Sequence, residues 1–197
     1  MDDYYIVFDL ETTGLPKKRY ASVDDFDNWP NIVQFAWGVY NKNNECIKIK
    51  DYIIKPNNFI IPDESIIIHK ITNEAANELG VDLNIVMQEF MNDISDVKYL
   101  IAHNLSFDFK VLCCELLRNN MNIKDLNKKK KICTMETSTN FCKMGDFKYG
   151  KYKWPKLSEL YFKLFNSNKQ GLHNARVDIE TCHECFIKLL ELSIIEL

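Results

Sequence analysis

Two acidic residues at the end of the first apolar run constrain this chain more than any other feature. Tyr4 to Leu10 (YYIVFDL) is β-branched, aromatic and apolar apart from Asp9, and Glu11 follows directly after it. Such a run reads as a central strand buried on both faces. A spacing of two puts Asp9 and Glu11 on one face of that strand. A buried strand does not normally spend a face on two charges.

The rest of the chain supplies a mixed sheet and its cover. Residues 17–31 (KKRYASVDDFDNWPN) form a polar loop ending in Trp29-Pro30. Ile32 to Tyr40 is a second strand, Asn41 to Asn44 a turn, and Cys46 to Ile54 an alternating third strand. These three form an antiparallel meander. Pro56 to Pro62 is extended linker. Thr72 caps a helix over residues 73–79, Gly80 breaks it, and helical spacing resumes from Leu83 to Ile94. Val97 to Ala102 is a fourth strand and Leu105 to Arg118 a helix. Lys131 to Thr134 is a short strand, residues 144–156 an aromatic and basic loop, Leu157 to Phe165 a short helix, and Ala175 to Leu192 the terminal helix. Strands followed by alternating helix and strand predict one α/β layer structure. A chain of 197 residues fits a single domain, residues 1–197.

The misplaced acids recur. The apolar stripe Leu105, Phe109, Leu112 and Leu116 contains Asp108, and the stripe Ala175, Ile179, Cys182, Phe186 and Leu189 contains Asp178. Any one of these is explained by a cap or a salt bridge. Three segments pointing acid inward are not, because like charges that close raise one another's pKa unless cations neutralise them. Hard divalent cations prefer oxygen ligands, so Mg²⁺ or Mn²⁺ is the expected occupant. A pair of them suits phosphodiester hydrolysis. His173 stands on a loop five residues before Asp178. It reads equally as a general base for the attacking water or as a solvent-exposed loop histidine.

Composition narrows the classes. With 46% hydrophobic residues the chain buries a real core and is not a disordered segment. Its net charge of -3 argues against broad coating of a polyanion. It leaves room for a carboxylate-rich site that meets phosphate through bound cations. No apolar run approaches the ~18–20 residues of a membrane span. The acidic start MDDYYIVF is unlike a secretory signal, and no lipidation box precedes Leu197. An intracellular location, cytoplasm or nucleus, is expected. Seven cysteines read as free thiols. Cys182-His183-Glu184-Cys185 lies in a helical pattern without a partner pair, and reads as a buried face rather than a zinc or redox site.

Three motifs carry a resemblance. Asp9-Leu10-Glu11-Thr12-Thr13-Gly14-Leu15, His103-Asn104-Leu105-Ser106-Phe107-Asp108 and His173-Asn174-Ala175-Arg176-Val177-Asp178 resemble, in order, the three motifs of the DEDDh (DnaQ-like) 3′–5′ exonucleases. The likeness runs from about Tyr4 to Leu190. It implies a ribonuclease H-like fold: a five-stranded mixed sheet, first three strands antiparallel, flanked by helices. It implies that Asp9, Glu11, Asp108 and Asp178 hold two Mg²⁺ or Mn²⁺ ions, that His173 is the general base, and that nucleoside 5′-monophosphates leave from a 3′ end. It also implies that Thr12, Thr13, Gly14 and Leu15 hold the terminal nucleotide, with Leu15 a wedge against its base. The segment Ile61 to Thr72 resembles the family stretch ending in H-G-I-T, so Glu64 and His69 match nucleotide-contacting positions, although Lys70 stands in place of the glycine. Packing or capping of a helix is the other reading of His69. Asn104 caps its helix, contacts substrate, or does both.

Substrate and partners follow less directly. The run Lys128 to Lys131 reads as a solvated loop or as a phosphate contact. Phe147, Lys148, Tyr149, Lys151, Tyr152, Lys153 and Trp154 interleave rings and cations. That mixture suits single-strand stacking, or simply anchors a loop at Trp154-Pro155. The leading expectation is a 3′–5′ exonuclease on single-stranded or frayed DNA. The alternatives are the same site acting on RNA and a non-catalytic binding module. Nucleic-acid 3′ ends are the expected partner, and the small, slightly acidic chain fits delivery by a DNA polymerase.

Overall fold

The computed structural model describes residues 4–196. Met1–Asp3, part of the acidic start noted above, and Leu197 lie outside the described residues. The chain builds a five-stranded sheet from β1 (Tyr4–Thr12), β2 (Ile32–Tyr40), β3 (Cys46–Ile53), β4 (Val97–Ala102) and β5 (Lys130–Cys133), in the order β3-β2-β1-β4-β5. β1, β2 and β3 pair antiparallel, while β4 runs parallel to both β1 and β5. The expected mixed sheet is the observed one, with β1 at its centre.

Helices cover both faces. On one face Ile6, Phe8 and Leu10 of β1 pack with Val86, Met87 and Phe90 of α3 (Leu83–Asp93) and with Leu112 and Leu116 of α4 (Leu105–Arg118). On the other, Tyr5 and Val7 pack with Ile179, Cys182, Phe186 and Leu189 of α8 (Ala175–Glu191). Asp9 and Glu11 continue the second set by parity. One face of β1 is thus core at its start and site at its end. Cys182 and Cys185 lie buried in this second core, on the inward face of α8. No helix among the described residues is long and apolar enough to cross a membrane.

Three helices lie in stretches without an expected element, and two expected loops are corrected. Residues 63–69 form α1 (Asp63–His69); the β-branched run Ile66-Ile67-Ile68 hides a helix that opens with Asp63 and Glu64 at its N-terminus, where acids are favoured. Lys124–Lys128 (α5) and Thr134–Cys142 (α6) are also helical. α6 is rich in Ser and Thr, weak helix formers, and is held by burying Met135, Ser138, Thr139 and Cys142. The lysine run is therefore no loop: it ends α5 and enters β5, where Lys129 donates to Ser95 O and Val97 O. Finally, residues 144–153 are a hairpin of β6 (Met144–Lys148) and β7 (Lys151–Lys153). Tyr149 and Gly150 turn it with φ of 52° and 76°, the paired positive values of a type I′ turn. The other elements, α2 (Asn73–Leu79), with Thr72 Oγ1 accepting from Ala75 N, and α7 (Leu157–Phe165), fall where the sequence puts them.

Candidate active site

Three elements deliver the acids to one place. Asp9 and Glu11 come from the end of β1, where a β-bulge between Glu11 and Thr12 ends the regular pairing with β2. Asp108 comes from the first turn of α4. Asp178 comes from the first turn of α8. Asp108 and Asp178 are buried, and Asp9 and Glu11 are partly so.

Their electrostatics are those of a crowded anionic site. Burial pushes Asp9 well above the usual carboxylate range, and the charges of Asp108, Asp178 and Glu11 push it further. Burial and Asp178 push Glu11 up to about 7. Asp108 is also raised well above its ordinary value by burial, against the pull of the backbone amides of Asp108 and Leu10. Asp178 is pushed up to about 6 by burial, opposed by the His173 amide. Asp178 Oδ1 is buried with no hydrogen-bond partner. An orphaned carboxylate oxygen among mutually repelling acids is costly unless a cation completes it.

His173 closes the group. A ring nitrogen of His173, an oxygen of Glu11 and an oxygen of Asp178 lie within 4.8 Å of one another. The ring is exposed, and the residue holds a left-handed φ of 68° just after Gly171 at 78°. Non-glycine residues adopt this region at a cost and concentrate at functional sites. The His173 N–H donates to Asp178 Oδ2 at 3.0 Å, which ties the loop to the helix it precedes.

Polar residues that the sequence reading passed over fix these positions. Asn174 Oδ1 accepts from Arg176 N and Val177 N at 3.1 and 3.4 Å and caps α8. Gln34, opposite Glu11 on β2, accepts from the buried Ala175 N–H at 3.1 Å. His103 bridges Thr134 Oγ1 and Pro155 O, each at 3.0 Å. Burial holds its pKa down to about 4, so at neutral pH it is uncharged and donates through Nε2 to the Pro155 carbonyl. Arg118, paired with Glu115 at 2.6 Å, donates to the carbonyls of Phe26 and Trp29 and anchors the 17–31 loop on α4. An Asn directly before a helical pattern signals the cap; the other three are contacts between distant segments.

The expected nucleotide-contacting residues divide into two groups. Thr12 Oγ1 donates to Gly14 O at 2.8 Å, and Thr13 Oγ1 accepts from Asn31 N at 3.0 Å. Gly14 has φ +142° with nothing within 4 Å of a built Cβ, a conformation open to glycine at an open surface. Leu15 is 84% exposed. Asn104 does not cap α4 through its side chain: it sits left-handed at φ 66°, which turns the amide away from the helix start. Leu15 and Asn104 line a common cavity of about 350 Å³. Glu64 and His69 stand on α1, and Glu64 is not among the charges that perturb the four acids. His69 is buried, its Nδ1 accepts from Ile71 N at 3.1 Å, and its Nε2 has no partner. Lys70 adopts φ 64°, the conformation that the family glycine takes freely, at a cost of ~1–2 kcal/mol. Its Nζ folds back onto Ile67 O.

Comparison with known proteins agrees with this geometry. An exonuclease family model (RNase_T) matches residues 6–186. No curated protein sequence matches the chain. Among solved structures, Escherichia coli Exonuclease I bound to a dA16 oligonucleotide superposes with a TM-score of 0.73 at 13% identity, over 96% of this chain and 41% of that one. The zinc-bound complex of the same enzyme with single-stranded DNA gives 0.74 at 15% identity, over 98% and 41%. Exonuclease I from Methylocaldum szegediense gives 0.73 at 17%, over 96% and 40%. This chain therefore spans about two-fifths of the length of those neighbours, and at such identities they speak to fold. The family match over most of its length, on a ribonuclease H-like sheet, makes the chain a member of the DEDDh (DnaQ-like) exonuclease family.

Proposed function

We propose that the protein is a 3′–5′ exonuclease that removes nucleoside 5′-monophosphates from single-stranded or frayed DNA ends. One observation carries this reading: Asp9, Glu11, Asp108 and Asp178 converge from three elements, and Asp178 Oδ1 is buried without a partner. Such a donor set fits hard divalent cations, and two Mg²⁺ or Mn²⁺ ions are the proposed complement, held by these four carboxylates. When bound, such a pair supplies an activated water and stabilises charge on the departing oxygen.

The remaining work belongs to the chain. His173 accepts the proton of the attacking water at an exposed ring nitrogen beside Glu11 and Asp178. Gly14 and its neighbours give the terminal nucleotide a close backbone approach, and Leu15 projects as a wedge against its base. His69 bonds the Ile71 amide through Nδ1, so its proton lies on Nε2; that buried, unpaired N–H supports its role as a donor to substrate, with Glu64 and Asn104 as further contacts to the nucleotide.

DNA is preferred to RNA because Exonuclease I, similar in fold, is held with a dA16 oligonucleotide. An RNA-specific site would add contacts to the 2′-hydroxyl. The test is a gel with Mg²⁺, 5′-labelled single-stranded DNA and RNA of one sequence, and Asp178→Ala as control. A ladder shortening from the 3′ end by single nucleotides, faster on DNA and absent in the variant, is expected. Faster shortening of RNA reverses the sugar preference. No ladder on either, with metal bound and the fold intact, leaves a silent binding module or an enzyme dependent on a polymerase partner.

A further inference from the structure

The carboxylate cleft accounts for the reacting phosphodiester, but the cavity that Leu15 and Asn104 share is also lined by residues without a role so far. It is lined by Leu15, Asn104 and Phe107, within the first two motifs, and also by Arg19 and Trp154. The last two belong to segments outside all three motifs: the 17–31 loop and the residue that follows β7. The Arg19 guanidinium carbon lies 4.6 Å from the Trp154 ring centroid, and Trp154 is 41% exposed. Lys110 lines the same cavity, its Nζ 5.6 Å from the Trp29 ring centroid. Apolar walls, an accessible indole and two cations match a flat base carrying a phosphate better than they match an apolar ligand or a bare anion.

Both halves of this pair are held in place. Trp154 precedes Pro155, whose carbonyl accepts from His103 Nε2 at 3.0 Å, and His103 immediately precedes Asn104. The loop bearing Arg19 is tied through Trp29 O and Phe26 O to Arg118. Three other members of the aromatic and basic stretch are engaged with other partners. Phe147 packs on Tyr152 with centroids 4.9 Å apart, and Lys153 pairs with Glu159 at 3.0 Å. Of that stretch, Trp154 lines this cavity.

We propose that Trp154, backed on one face by the Arg19 guanidinium, offers its other face as a stacking clamp for the base of a nucleotide upstream of the scissile one. The clamp rests on the exonuclease reading for its substrate class. It takes only an unpaired base, because stacking on the indole needs a free π-face, so it selects single strands over duplex ends. Arg19 supplies the charge that faces the intervening phosphates.

The test is a tryptophan-fluorescence titration of the full chain in Mg²⁺ with phosphorothioate-linked oligothymidylates of one to six nucleotides, which resist hydrolysis. Affinity is expected to rise once a second or third nucleotide is present, with quenching of the emission. Trp154→Ala is expected to lose about 5- to 100-fold of that gain, the weight of one stacked base. Arg19→Ala loses part of it, and Trp154→Phe restores most of it. A blunt duplex shows no comparable gain. If Trp154→Ala misfolds by circular dichroism, Trp154→Phe and Arg19→Ala carry the test against the buried Trp37→Phe as a fluorescence control. Wild-type length dependence in folded Trp154→Ala, or in Arg19→Ala where Trp154→Ala misfolds, overturns the clamp. Cleavage of ordinary phosphodiesters separates the two readings. A chain that shows the Trp154-dependent gain yet cleaves nothing keeps the clamp and loses the exonuclease; a chain that cleaves without that gain does the reverse.

Discussion

His173 and Asp178 share one hydrogen bond and divide the carboxylate between them: the His173 N–H donates to Oδ2 at 3.0 Å, while Oδ1 is buried and unpartnered. One oxygen sets the geometry of the loop and the other is left for a ligand. Asp178→Ala is therefore expected to abolish nuclease activity while the chain stays folded. Without metal its Tm should rise, because one charge leaves a repelling group. Activity gels and thermal melts in EDTA check both parts, and near wild-type turnover would falsify the metal assignment.

Burial of these acids, with the repulsion of Asp178 on Glu11, predicts a pH signature. Glu11 is pushed up to about 7 and Asp178 to about 6, both above their unfolded values. The native state then holds protons that the unfolded state releases, and metal-free stability from these groups falls as pH rises from about 4 to 7. Buried histidines act oppositely: His103 and His183 are each held down to about 4, so their contribution falls as pH drops below about 6.5. A difference measurement removes them. The stability of Asp178→Asn minus wild type, from urea melts in EDTA, should grow by roughly 1–3 kcal/mol between pH 5 and pH 8. Saturating Mg²⁺ should reverse its sign, since only the wild type keeps the full ligand set. A difference flat across that range would mean that burial does not raise the Asp178 carboxyl.

His173→Ala separates proton transfer from metal binding. The ring is exposed and carries none of the packing, so the fold and Mn²⁺ affinity should persist. The rate should drop ~10²–10⁴-fold, the usual weight of a general base. Isothermal titration with Mn²⁺ and single-turnover cleavage make the comparison. Unchanged turnover at neutral pH removes His173 from the chemistry.

Periodicity made the carboxylate site legible before any coordinates. Asp9 and Glu11 share a face because strands repeat every two residues, and Asp108 and Asp178 stand in apolar stripes that helices repeat every three to four. β2 begins and ends at Ile32 and Tyr40 because turn residues bound it on both sides. What periodicity cannot encode went unread. Ile66-Ile67-Ile68 carries strand propensity, yet tertiary context makes it helix α1. Asn104 has the residue type of a cap, but its left-handed backbone removes the capping geometry. The turn at Tyr149-Gly150 depends on a positive φ at tyrosine, which residue type does not announce. The contacts that place the acids are further still from local pattern: Arg118 meets Trp29 O across 89 residues and Gln34 meets Ala175 across 141.

Gln34 supplies the last prediction. Its Oε1 accepts the buried Ala175 N–H at 3.1 Å, and its Nε2 donates to Asp51 Oδ1 at 2.8 Å. It thereby fixes the first turn of α8 to the sheet beside Glu11, three residues ahead of Asp178. Gln34→Leu keeps the approximate volume and strands that N–H in the interior, at a cost of about 1–3 kcal/mol. It also frees the helix start to shift, and displacements on the order of 1 Å cost up to ~10²-fold when groups must align on a reacting centre. Melts and steady-state kinetics below the transition should show a lowered Tm and a kcat reduced about 10-fold or more, with KM for single-stranded oligonucleotide little changed. A lowered Tm with undiminished kcat would make Gln34 a stabilising contact only, and the position of Asp178 independent of it.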